Sequence, residues 1–175
     1  FRTAPSDARQ GQVLAEITME RGISQVAVTF TNNDYGKGLS DAFINAYKGL
    51  GGKVSAVVPH EDGKADYSAE VGTLDASGAG VLAVFGYVDQ GGRHMIQTSI
   101  DSGAFDKFIL ADGMFGESLL KNVDGDLSGT FGTVPGTDSK GAASFADMAK
   151  GAGIKAGGPF TGESYDAAAL LVLAM

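Results

Sequence analysis

Four short apolar runs dominate what this chain can fold into. They are Val26-Ala27-Val28-Thr29-Phe30, Val54-Ser55-Ala56-Val57-Val58, Val81-Leu82-Ala83-Val84-Phe85 and Phe108-Ile109-Leu110-Ala111. Each is rich in β-branched or large apolar residues, and most are continuous rather than alternating, as expected of strands covered by helices on both faces. Their starts recur roughly every 25–28 residues, the length of a compact strand-plus-helix unit. Repeated right-handed crossovers of that length predict an α/β fold. The expected architecture is a doubly wound parallel sheet of about five strands in flavodoxin-like order, with Thr130 to Val134 as a weaker fifth strand.

Helical patterns fill the gaps. Leu39, Ala42, Phe43, Ala46, Tyr47 and Leu50 make one apolar stripe that ends at Gly51-Gly52, where a left-handed cap is cheap. An earlier helix carries Val13, Leu14 and Ile17 and stops near Gly22. Asp66 is the expected N-cap of a helix running through Leu74 to Gly78, and Met95, Ile96 and Ile100 mark another that ends at Gly103. After Pro135 the character changes. Thr137 to Gly141 is polar, Phe145 and Met148 sit on a short helix, and Gly151 to Gly158 reads as a loop. Ser164 to Met175 is a helix apolar nearly all round, which calls for burial on several sides. Residues 1–134 are therefore expected to form one lobe, and 135–175 to belong to an incomplete neighbour. The chain opens on Phe1 and stops inside an apolar run at Met175, so both ends read as cut.

Composition narrows the chemistry. The net charge is −8 with no basic stretch, which argues against nucleic acid and for cationic or zwitterionic ligands. With no cysteine there is no disulfide, thiolate metal site or cysteine nucleophile. The longest apolar run, Ala167 to Met175, falls well short of the roughly 20 residues a membrane span needs, so no membrane insertion of this segment is expected. Gly36-Lys37-Gly38 begins a dinucleotide fingerprint, but Asp41 stands where the third glycine should be. Neither a phosphate-cradling P-loop nor a Gly-x-Ser-x-Gly elbow occurs. His60 and His94 lack ligand-like spacing to another candidate and read as solvated surface residues. A response-regulator phosphoacceptor domain would want an Asp after the third strand and a Lys after the fifth, where Gly86-Tyr87 and Val134-Pro135 stand. No cofactor, metal or catalytic residue is expected.

Asn33-Asp34-Tyr35-Gly36, Phe85-Gly86-Tyr87 and Ala111-Asp112-Gly113 survive this screen. Each follows an apolar run, so in a parallel sheet they meet on the rim at the carboxyl ends of the strands, where ligands bind. Each alone has a plain reading: a ring packed on the sheet end for Tyr35 and Tyr87, a turn aspartate for Asp112. Together, two phenols can wall a cleft and a carboxylate can take charge-assisted hydrogen bonds from an ammonium group. Asp34 and Asp89 lie on the same loops and read as solvated or capping residues.

These motifs resemble the substrate-binding proteins of branched-chain amino acid (Leu/Ile/Val-type) ABC transporters, periplasmic binding proteins with the type I two-lobe fold. Phe1-Arg2-Thr3 looks like the family's crossover from first lobe to second, so residues 1–5 would be that crossover. Asn33 to Gly38 is similar to its Tyr-Gly-x-Gly turn, Asp66-Tyr67-Ser68 to its Asp-aromatic-Ser helix start, Phe85-Gly86-Tyr87 to its Gly-Tyr strand end, and Asp112-Gly113 to its acidic-Gly turn. Gly162 to Ala167 looks like the return helix of the first lobe. The resemblance implies a non-catalytic, periplasmic solute-binding component of an ABC importer. Its partners would be an amino acid or related small solute and the transporter's membrane permease. Asp112 would take the ligand's ammonium group, with Tyr35 and Tyr87 beside it, while the carboxylate would be held by first-lobe groups upstream of Phe1. Several relatives carry Glu where Asp112 stands, which shortens the reach here by one carbon–carbon bond. A ligand-sensing receptor or regulator on the same scaffold is the alternative reading, and an enzyme on a doubly wound sheet is a third.

Overall fold

The computed structural model describes residues 2–136 and 139–175, so Phe1 of the crossover motif and Thr137 of the polar stretch lie outside the described residues. The chain divides into two compact units. One is Asp7–Thr133; the other joins the residues up to Ser6 with Val134–Met175.

In the larger unit α1 (Asp7–Glu20) leads into β1 (Gln25–Thr31), α2 (Asp34–Gly49) and β2 (Lys53–His60). Then come α3 (Ser68–Asp75), β3 (Leu82–Phe85), a π-helical turn (Val88–Gly92) and α4 (Arg93–Ser102). β4 (Phe108–Leu110), a 3-10 turn (Asp112–Met114), α5 (Glu117–Asn122) and β5 (Phe131–Gly132) complete it. The five strands are parallel throughout, in the order β2-β1-β3-β4-β5. This is the doubly wound sheet the strand spacing predicts.

The continuous apolar runs follow from covering both faces. Successive strand residues point to opposite sides. Ala27, Leu82, Val84, Phe108 and Leu110 pack on one side with Tyr67, Val71, Leu74, Met95 and Ile96 of the α3 and α4 layer. Val26, Val28, Ala83, Phe85 and Ile109 pack on the other with Leu14, Leu39, Phe43 and Tyr47 of α1 and α2. The α2 stripe is buried through Leu39, Phe43 and Tyr47, but Leu50 is exposed because the helix has already ended. Gly51 follows at φ +90, the left-handed stop its position predicts. Gly103 does the same after α4.

Asp66 departs from its expected role. α3 begins at Ser68, and Tyr67 occupies the capping position without a side-chain cap bond. The Tyr67 ring is buried, and its hydroxyl donates to Glu61 O at 2.8 Å, which holds that residue in place. Asp66 Oδ1 instead accepts from Ser68 N at 3.0 Å and from Ser68 Oγ at 2.6 Å.

The smaller unit carries α6 (Lys140–Gly151) and α7 (Thr161–Leu173). Phe145 and Tyr165 rings lie 5.1 Å apart between them. They help line an open groove of about 780 Å³ within this unit. α7 has no buried residue, and Leu170, Leu171, Val172, Leu173 and Met175 are exposed.

Two neighbouring glycines separate close packing from open helix surface. A Cβ on Gly36 would collide with the Thr31 carbonyl oxygen and lie 2.8 Å from Thr31 Cγ2, whereas one on Gly38 would meet nothing within 4 Å. Gly36→Ala should therefore destabilise the protein by about 1–3 kcal/mol through overpacking. Gly38→Ala should stabilise it by about 0.5–1 kcal/mol through helix propensity. Urea unfolding of the two variants measures both; equal stability would contradict the close approach of α2 to β1.

Candidate functional site

The sheet order sets the site. β1, β3 and β4 are adjacent, so the chain ends leaving them are neighbours. Asn33 caps α2, its Oδ1 accepting from Gly36 N at 2.9 Å, and this fixes Tyr35 in the first turn at the end of β1. Tyr87 leaves β3 one residue after Gly86 and opens the π-helical turn. Asp112 is the first residue of the 3-10 turn after β4.

The three residues meet. Tyr35 Oη donates to Asp112 Oδ1 at 3.1 Å, and Gly113 N donates to Tyr35 Oη at 3.3 Å. The Tyr35 and Tyr87 rings stack with centroids 5.1 Å apart and planes 29° apart. All three side chains are half-buried on the rim, neither entombed nor on separate faces. Asp34 is exposed, and Asp89 is exposed and accepts from Ser118 Oγ at 3.0 Å, so both keep the solvated roles expected of them.

Electrostatics around the phenols have one sign. Burial, then the Asp112 charge, pushes the Tyr35 phenol well above its ordinary range. Burial also raises Tyr87; the nearby Asn33 side chain opposes this, and the carboxylates of Asp112, Asp62 and Asp7 add to it. The roles of the two hydroxyls therefore differ. Tyr35 donates its hydroxyl hydrogen to Asp112. The Tyr87 hydroxyl keeps its own hydrogen to donate.

Close backbone approach makes this arrangement possible. A Cβ on Gly113 would collide with Gly86 O and lie 3.1 Å from Tyr35 Oη and 3.2 Å from Tyr87 Cδ1. Sequence reasoning missed these supports. Asn33 could have been found as a polar N-cap directly before an apolar stripe. The Gly113 amide and the Gly86 carbonyl carry no sequence signal beyond the glycines themselves.

His60 is a correction. It was expected at the surface, but it is 1% exposed at the end of β2. Its Nδ1 is hydrogen-bonded to Thr29 Oγ1 at 2.8 Å, and its ring meets Tyr67 edge-on at 6.1 Å between centroids. β2 ends against β1 beneath the loop that carries Tyr67, so a residue just past an apolar run is roofed over. His94 is exposed, as expected, and stacks on Tyr67 with centroids 6.3 Å apart. Among the described residues no group of three or more His, Cys, Asp or Glu could hold a metal ion, and no helix is long and apolar enough to cross a membrane.

The buried histidine gives a pH dependence of known sign. Burial lowers its pKa below the ordinary 6.5, outweighing the pull of Asp62, Glu70 and Glu61. The unfolded ring then binds its proton more readily than the native one. The stability His60 contributes is full above about pH 6.5 and falls as pH drops toward the lowered native value. Urea unfolding at a series of pH values should show this slope, and His60→Gln should flatten it. An unchanged slope in the variant would contradict the assignment.

Comparison with known proteins supports the fold and names the family. A family profile described as periplasmic binding protein matches residues 1–175. Leu/Ile/Val-binding protein homolog 3 of Brucella melitensis biotype 1 is 36% identical over 97 residues, covering 53% of this chain and 25% of its own length. A leucine-binding protein from Thermotoga maritima superposes with a TM-score of 0.82 at 23% identity, covering 99% of this chain and 51% of that one. A solute-binding protein of an ABC transporter from Rhodopseudomonas palustris, solved with p-hydroxybenzoic acid, gives 0.74 at 18% identity, covering 97% of this chain and 48% of that one. The chain thus spans a quarter of the curated relative and about half of each solved protein. The chain belongs to the periplasmic binding protein family.

Proposed function

We propose that this chain is part of the periplasmic solute-binding component of an ABC importer, which holds an amino acid or similar small zwitterionic solute between two hinged lobes and delivers it to a membrane permease. The Asp7–Thr133 unit is the second lobe, and the unit containing Val134–Met175 is the return into the first. The exposed apolar side chains of α7 suit a helix that packs into a larger first lobe. The chain's role is binding, with no catalytic residue.

The observation that carries this reading is the convergence of Tyr35, Tyr87 and Asp112 on one rim. Asp112 has one oxygen engaged by Tyr35 and offers the other to a donor. Tyr87 has a proton to give to an acceptor. A ligand that matches carries an N–H donor beside an oxygen acceptor, as an amino acid does. The charge also selects. Asp112, Asp62 and Asp7 act together on Tyr87, so the rim favours an ammonium group and opposes a lone carboxylate. An aromatic acid such as that held by the Rhodopseudomonas relative suits this rim less well than a zwitterion.

Calorimetry on the full-length protein tests this. L-leucine is expected to bind more tightly than 4-hydroxybenzoate near neutral pH; the reverse order would overturn the zwitterion assignment. Asp112→Ala should weaken amino-acid binding by about 2–4 kcal/mol, because a buried ammonium loses its partner. Unchanged affinity in a folded Asp112→Ala protein would remove Asp112 from the site.

A further inference from the structure

His60 takes no part in the site described above, yet its ring bears on the segment that carries one wall of it. Thr31 of β1 pairs with His60, and Phe30 pairs with Phe85 of β3, so the ring reaches the chain leaving β3. A Cβ on Gly86 would lie 3.0 Å from His60 Nε2, and one on Gly91 would lie 3.0 Å from His60 Cδ2. Tyr87 sits between those two glycines. Its carbonyl accepts from Gly92 N at 3.0 Å and from Gln90 N at 3.3 Å. The imidazole therefore lies close to both ends of the Gly86–Gly91 segment, which contains the Tyr87 that stacks on Tyr35.

One side of the ring is satisfied and the other is not. Nδ1 is bonded to Thr29 Oγ1, while the buried Nε2, facing the glycines, has no hydrogen-bond partner among the described residues. β1 presents only the hydroxyls of Thr29 and Thr31. The loop after β2 presents Glu61 and Asp62, and Asp62 is bonded to Thr31 Oγ1 at 2.6 Å. Tyr67 and Glu70 face the ring from the start of α3, with Glu70 paired to Lys64. Beyond β3 stands Tyr87. The three carboxylates favour a proton on the ring and burial disfavours it more strongly, so the fold is built around the neutral form.

A second proton would make the ring a cation with an N–H on both nitrogens, while Nε2, which faces Gly86 and Gly91, has no acceptor among the described residues. Drawing the Gly86–Gly91 segment back from the ring gives relief, and that motion carries Tyr87, which lies within the segment. We propose that His60 is a positioning residue for Tyr87, and that its protonation loosens Tyr87 from Tyr35 and releases the bound solute as pH falls. This rests on the reading of Tyr87 as a ligand wall given above.

The test uses isotope-labelled full-length protein. The His60 Cε1 resonance and the Tyr35 and Tyr87 ring resonances are followed by NMR from about pH 8 to about pH 5, across the range in which histidine titrates. L-leucine affinity is measured in parallel. Tyr87 should move with the His60 midpoint, affinity should fall several-fold over the same interval, and His60→Gln should abolish both changes. A Tyr87 ring that stays fixed while His60 takes up its proton overturns the proposal. So does a His60 ring that stays neutral throughout, or an affinity profile that persists in His60→Gln. If that variant does not fold, the wild-type resonances alone decide. Tyr87 following His60 in a protein that binds no leucine at any pH would uphold the coupling and count against the proposed function.

Discussion

One phenolic hydroxyl joins two chain ends that are far apart in sequence. Tyr35 Oη donates a hydrogen bond to Asp112 and accepts one from the Gly113 amide, so the turns after β1 and β4 share a hydrogen-bond network. β3 lies between those strands, and the link must pass over Gly86 and Tyr87. It can do so only because the crossing is flat: a side chain on Gly113 would strike the Gly86 carbonyl. The stacking of Tyr87 on Tyr35 then follows, since the same approach that lets the hydroxyl reach Asp112 brings the rings to 5.1 Å.

This geometry divides the chemistry between two like residues. Tyr35 orients the carboxylate and has its own proton engaged. Tyr87, stacked on Tyr35, keeps its hydroxyl as a donor. The result is an acceptor, a donor and an apolar wall under a negative field. The fold does not dictate that combination, since the same scaffold in a relative holds p-hydroxybenzoic acid. On the proposed reading, the few side chains on the rim select the ligand class.

The architecture was legible because it depends on local regularity. Runs such as Val81 to Phe85 are continuous where helices cover both faces, and Gly51 and Gly103 stop helices where a left-handed residue is needed. The convergence of Tyr35, Tyr87 and Asp112 was legible from strand order alone, because every parallel strand sends its end to one rim. What was not legible depends on neighbours distant in sequence. His60 follows an apolar run and looks exposed by position, yet Thr29, Tyr67, Gly86 and Gly91 bury it from four different segments. Asp66 was misplaced by one step because the buried Tyr67 ring, rather than the aspartate, anchors the start of α3.

The most direct test of the account is a crystal structure of the full-length protein with its solute bound. The account predicts an amino nitrogen of the solute within hydrogen-bond distance of the Asp112 carboxylate, with Tyr87 beside it. A solute held without contact to Asp112, or one that turns its own carboxylate toward that residue, would contradict it.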